Sequence, residues 1–225
     1  MIAVIQCAAS KRANAGHLKT AGGEPVIFVA DGNCAPSDER HVVARPDEDS
    51  GTGASWREVL LAYNAEPNGN PHGLLQACDL YAHPVYRALV ERLGTANVYI
   101  LSAGWGLIRS DFLTPYYDIT FSGSAEDYKR RRKNDEYADF RMLPATTSEP
   151  VVFFGGKDYL PLFCRLTEGI AGPRTIVYNS ALPPADRLCQ HRRFNTATRT
   201  NWHYECVGAF LGGHFDPISR ESGSS

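Results

Sequence analysis

A chain of 225 residues sets 23 lysines and arginines against 25 acids, and its formal charge of −2 excludes a polycation that grips nucleic acid over its whole surface. Its six cysteines (Cys7, Cys34, Cys78, Cys164, Cys189 and Cys206) are scattered without a CxxC pair, which argues against a zinc ribbon or a disulfide scaffold and for reduced thiols in the cytoplasm. No apolar run is long enough to cross a bilayer, and Met1 leads straight into an apolar run without the charged start of a signal peptide.

The length suits a single domain over residues 1–225, with a loop-rich excursion at about 31–73. Ile2 to Gln6 is an apolar run predicted to be a buried first strand. It ends in Cys7-Ala8-Ala9-Ser10-Lys11-Arg12, and in an open α/β sheet the loop leaving a strand's carboxyl end is where ligands sit. Ser10 and Lys11 there are candidates to hold a phosphate or polarise a leaving group, and Cys7 is a pocket residue. Pro25 to Ala30 is a second predicted strand. Ser55 and Glu58, three apart, mark a capping box that opens a helix running to about Asn64. Leu74 to Leu93 carries helical spacing of apolar residues with a break near His83-Pro84, and Gly94 ends it.

The chain is organised around the next stretch, Asn97 to Phe121. Val98 to Leu101 is predicted to be a buried strand, and it breaks at Ser102-Ala103-Gly104-Trp105-Gly106, where two glycines allow a sharp turn or close approach of a ligand. Pro115-Tyr116-Tyr117-Asp118 then sets two aromatics and a carboxylate beside a rigid proline. Ser102, Gly104, Trp105, Gly106, Tyr116 and Tyr117 are therefore expected to wall a pocket, with Asp118 as its acid. Ser124 to Asn134 is the densest basic run, and its serine and two leading acids suit a helix N-terminus. Lys129, Arg130, Arg131, Arg132 and Lys133 would present cations to phosphates.

Pro150 to Phe154 is another predicted strand, followed by Gly155-Gly156-Lys157-Asp158-Tyr159, which lacks the spacing of a P-loop. Tyr159 to Leu166 is a predicted helix and Thr175 to Tyr178 a last strand. Asn179 after it either reads a base edge or caps a turn. Arg187, Arg192, Arg193 and Arg199 form a second basic cluster, and Trp202 to Leu211 a closing helix. The alternation of strands, glycine turns and helices indicates an α/β fold.

Three motifs in order carry a resemblance. The strand ending in Cys7, Ser10 and Lys11, the run Leu101, Ser102, Ala103, Gly106, Leu107 and Ile108, and the group Pro115, Tyr116 and Asp118 resemble a superfamily of YaaA-like peroxide-stress proteins and the lysine-transferring core of archaeosine synthase. The set is also similar to prokaryotic antiviral DNA glycosylases that remove hypermodified bases from phage DNA. That resemblance implies a uracil-DNA-glycosylase-like three-layer sandwich with a central, mostly parallel sheet and a base pocket at the strand ends. It implies a double-stranded, modified phage DNA as partner, a glucosylated hydroxymethylcytosine being one plausible substrate, with no cofactor and no metal.

A base must leave the duplex before its glycosidic bond can be reached. Lys129 to Lys133, Arg12, Lys157, Arg192 and Arg193 would then grip phosphates, and Leu182 would wedge the gap. A carboxylate would stabilise the oxocarbenium-like transition state. Asp118 is the first candidate for that role and Asp158 the second. Lys11 is either a Schiff-base nucleophile or a binding cation. Two other functions stay open: a transferase acting on a deazaguanine-type base, and a non-catalytic DNA-binding stress protein.

Overall fold

The computed structural model describes residues 1–36, 39–66, 69–132, 134–183 and 188–219, so Lys133 and Arg187 of the two basic clusters lie outside the described residues. Among the described residues, a seven-stranded sheet runs in the order β12-β11-β10-β1-β5-β6-β9. Its strands are β1 (Ile2–Gln6), β5 (Val98–Ser102), β6 (Gly106–Arg109), β9 (Phe140–Arg141), β10 (Val151–Phe154), β11 (Arg174–Tyr178) and β12 (Cys189–Arg193). Every pairing is parallel except β5 with β6, which form an antiparallel hairpin. The central strands are buried on both faces, as continuous apolar runs such as Ile-Ala-Val-Ile and Val-Val-Phe-Phe require.

Successive residues of β10 point to opposite faces, and each finds a different helix. Phe153 stacks on Phe163 of α4 (Leu160–Leu166) at 4.7 Å between ring centres, while Phe154 packs on Phe210 of α5 (Trp202–Leu211) at 5.7 Å. Helix α3 (Val85–Leu93) lies beside α5 and against β1 and β5. Helices on both faces of a mostly parallel sheet make three layers.

The segment between β1 and β5 carries elements of its own. Strand β2 (Val26–Val29) belongs to a separate sheet between β3 (Val42–Ala44) and β8 (Tyr117–Asp118), and α1 (Trp56–Ala65) buries Trp56 and Leu60. The Ser55–Glu58 capping box forms as the spacing predicts. The helix expected over Leu74 to Leu93 is interrupted earlier: β4 (Leu75–Gln76) pairs antiparallel with β7 (Leu113–Thr114), one turn of α2 (Ala77–Leu80) follows, and α3 starts only after Pro84. Gly94 ends α3 at φ 83°, in the region where glycine carries no steric penalty.

The basic run is not a helix. Its described residues form a single 3-10 turn at Asp127–Lys129 and no α-helix, and Lys129 and Arg131 turn to acids outside the run. Lys129 pairs with Asp118 at 3.0 Å and Glu126 at 2.7 Å, and Arg130 pairs with Asp127 at 2.5 Å. Arg131 turns inward to Asp139, at 2.6 Å, with both side chains almost fully buried. Arg131 is thus a core residue rather than part of a phosphate grip.

Candidate active site

The Ser102–Gly106 turn is closed from within. Ser102 Oγ accepts from the backbone N–H of Gly104 and Trp105 and donates to the Tyr117 hydroxyl at 2.9 Å. Two buried guanidiniums take the carbonyls: Arg131 donates to Ala103 O at 2.9 Å, and Arg57 to Gly104 O at 3.0 Å and Trp105 O at 3.1 Å. Gly106 sits at φ 89°, where a Cβ would lie 2.6 Å from Phe140 O. Trp105 and Tyr117 are wholly buried, with Trp105 edge-on to Phe28 at 5.0 Å. The expected slot of Ser102, Gly104, Trp105, Gly106 and Tyr117 is therefore corrected to a packed turn, since no surface of Trp105 or Tyr117 is open to a base.

The opening lies one strand over. The chain leaves β1 toward β5 on one side and leaves β10 toward β11 on the other, so the strand order reverses between β1 and β10. Ligands in open α/β sheets sit outside the carboxyl ends of the strands at such a reversal. A cavity of about 690 Å³ occupies this position. The β1 loop contributes Cys7 and Ser10, the β10 loop Gly156 and Asp158, and the start of α5 Arg199, Asn201 and His203. His83 before α3 completes a ring wall by stacking on Tyr204 at 3.9 Å and 14°. Asp158 is the one carboxylate in this lining among the described residues.

A hydroxyl and thiol network lies behind the lining residues Cys7 and Tyr159. Cys7 Sγ lies 3.2 Å from Tyr159 Oη and accepts from Ala103 N–H at 3.4 Å, and the Tyr81 and Tyr117 hydroxyls meet at 2.8 Å. Burial pushes the Tyr81, Tyr117 and Tyr159 hydroxyls well up, so all three stay protonated at neutral pH. Gly156 N–H donates to Gln6 Oε1 at 2.6 Å, which ties the β10 loop to β1.

Lys11 and Asp118 stand beside this cavity, outside its lining. The Lys11 ammonium lies 4.1 Å from the Tyr117 ring centre and 5.8 Å from that of Tyr116. Burial lowers its pKa, partly offset by Cys7 and Asp118, although the adjacent Arg12 is exposed. Lys129 is held protonated, its pKa raised by hydrogen bonds to Glu126 and then Asp118. Lys157 is exposed next to Asp158, and Leu182 is 64% exposed. Arg132 is exposed, and Arg192 and Arg193 line a separate cavity along β12. Asn179 lies outside the cavity lining, and its Nδ2 donates to Thr198 O at 3.3 Å, bracing the loop before α5.

His203 and His83 were invisible as site residues in the sequence, where the only signals were the His83-Pro84 break and the start of a closing helix. His203 is 2% exposed, and burial, reinforced by His83, pushes its pKa down to about 4. It titrates near 6.5 when unfolded, so between these values the unfolded chain binds more protons, and stability is lost as the pH falls from 6.5 towards 4. The expected loss by pH 4 is on the order of 3 kcal/mol. Urea melts at pH 7 and pH 4.5 check it: His203→Gln should flatten the difference, and an unchanged pH slope in that variant would assign it elsewhere.

An α/β protein with a ring-walled cavity at its strand-order reversal is the class that fold and site define. No protein-family model, curated protein or solved structure matches the chain. No helix among the described residues is long and apolar enough to cross a membrane.

Proposed function

We propose that this chain is a cytoplasmic DNA glycosylase of uracil-DNA-glycosylase-like architecture that draws a modified base out of phage DNA and hydrolyses its N-glycosidic bond, leaving an abasic site. The observation that carries the reading is the meeting, at the β1/β10 reversal, of a flat His83–Tyr204 wall with Asp158, the one carboxylate in the lining among the described residues. The volume of about 690 Å³ falls in the range of small-molecule sites and exceeds what an unmodified pyrimidine fills. Ser10, Thr120, Ser122 and Thr200 in the wall suit the hydroxyls of a sugar-bearing base. The antiviral setting draws on the motif resemblance.

In this reading the C1′–N bond breaks with its electron pair leaving on the base, which takes up a proton from solvent, while Asp158 faces the cationic sugar and accepts a proton from the water whose oxygen joins C1′. Asp158 takes precedence over Asp118 because it lines the cavity while Asp118 is engaged by Lys129. Exposed Leu182 is suited to wedge the vacated stack, with Arg12, Lys157 and Arg193 as phosphate contacts.

The test incubates purified protein with unmodified DNA and with several hypermodified phage DNAs, followed by heat and alkali. Strand breaks confined to a modified DNA are expected. Intact DNA with a mass gain on tRNA would replace the reading with a base transferase, and intact DNA bound in a salt-dependent manner would replace it with a binding protein.

A further inference from the structure

The α5 end of the cavity holds more positive potential than base recognition needs. Helix α5 is ten residues long, and its cap residue Asn201, at φ 56°, makes no side-chain capping bond, leaving the first N–H groups without a side-chain acceptor. Asn201 and His203 line the cavity together with Arg199, which has no ion pair among the described residues. Helix α3 meets the same wall through His83 and Pro84, but its first N–H, that of Val85, already donates to His83 Nδ1 at 3.2 Å, so the free donors are those of α5. An independent sign of a missing partner comes from His203, whose side chain is buried and whose Nε2 has no hydrogen-bonding partner among the described residues.

The loop that carries Arg199 is held in place. The Glu205 carboxylate accepts from the Thr196 and Thr198 hydroxyls at 2.6 and 2.7 Å, and Asn179 braces Thr198 from β11. Asp158 would repel an anion, but it enters ahead of α4, from the opposite face of the sheet to α5. The cavity is thus bipolar: donors and a cation on the α5 side, a carboxylate on the α4 side.

We infer that the α5 end of the cavity is a phosphate subsite, formed by the α5 N-terminus, Arg199 and His203, that grips the backbone phosphate of the flipped nucleotide. This rests on the base-pocket reading, and it assigns the substrate as a phosphorylated nucleotide within a strand rather than a free base or nucleoside. A helix N-terminus supplies the N–H donors and a guanidinium the charge-assisted bonds such a group takes.

Two titrations test it. The first compares deoxycytidine with deoxycytidine 5′-monophosphate, followed by NMR. The second compares a trinucleotide with its counterpart carrying neutral methylphosphonate linkages. The phosphate-bearing member of each pair should bind about tenfold more tightly. Arg199→Gln should bring both ratios near one with an unchanged melting temperature, and His203→Gln should reduce them. Equal binding within the pairs, or ratios that survive both substitutions, would overturn the subsite. A ratio in the monophosphate pair alone would overturn the assignment to a strand phosphate. Phosphate discrimination without base release would keep the subsite and end the glycosylase reading, and base release without discrimination would do the reverse.

Discussion

Arg131→Leu should destabilise the fold by about 3–5 kcal/mol, the cost of breaking a buried ion pair from one side. Its guanidinium makes two bonds to Asp139, at 2.8 and 2.6 Å, and one to Ala103 O. Removing it strands a carboxylate that is 1% exposed, with Arg165 as its remaining ion-pair partner, and leaves a carbonyl of the Ser102–Gly106 turn without its donor. For a chain of this size the loss corresponds to a fall of about 6–20 °C in melting temperature. Arg130→Leu, whose partner Asp127 is 69% exposed, should cost under about 1 kcal/mol. Thermal melts of the two variants separate a core arginine from a surface one. Equal, small shifts would contradict the role given to Arg131.

Asp158→Asn should lower the rate of base release by at least about a hundredfold while leaving the melting temperature unchanged. The substitution keeps the side chain's shape and removes the charge that faces the developing cation. Asp118→Asn should act differently. It loosens Lys129 and withdraws a charge that favours protonated Lys11, so its effect should appear as weaker DNA binding at moderate salt with the single-turnover rate within about tenfold of the parent. Single-turnover rates at saturating protein distinguish the two carboxylates.

Much of the fold was legible because burial writes itself into sequence. The strands β1, β5, β10 and β11 are predicted to within a residue or so, since doubly buried parallel strands are apolar runs bounded by turns. The bounds of α5 match the prediction, and α1 announces itself by its capping box. The edge strand β12 was not legible: Cys-Gln-His-Arg-Arg is polar and cationic, as exposed edges are. The false basic helix has a related cause. Local spacing favours a helix from Ser124, but Asp118 and Asp139, outside the run, draw Lys129 and Arg131 in different directions, and tertiary pairing overrides propensity.

The site was half legible for the same reason. Cys7, Ser10 and Asp158 could be picked out because they follow buried strands, where an α/β sheet presents its loops. The aromatics of the central stretch misled, because Trp105 and Tyr117 look the same in sequence whether they wall a pocket or fill a core. Two arginines distant in the chain, Arg57 and Arg131, decide that they fill the core. His83, Arg199 and His203 converge only once α3 and α5 pack side by side.

The measurement that tests the central claim most directly is the amount of free base released from a hypermodified phage DNA by the parent protein and by Asp158→Asn, read by mass spectrometry beside alkali-labile strand breaks. The account expects a released modified base matched by abasic sites for the parent, and a signal reduced by about a hundredfold or more in the variant. Full release by Asp158→Asn would remove the β1/β10 cavity as the seat of the chemistry, and no release by the parent from any modified DNA would contradict the enzyme reading itself.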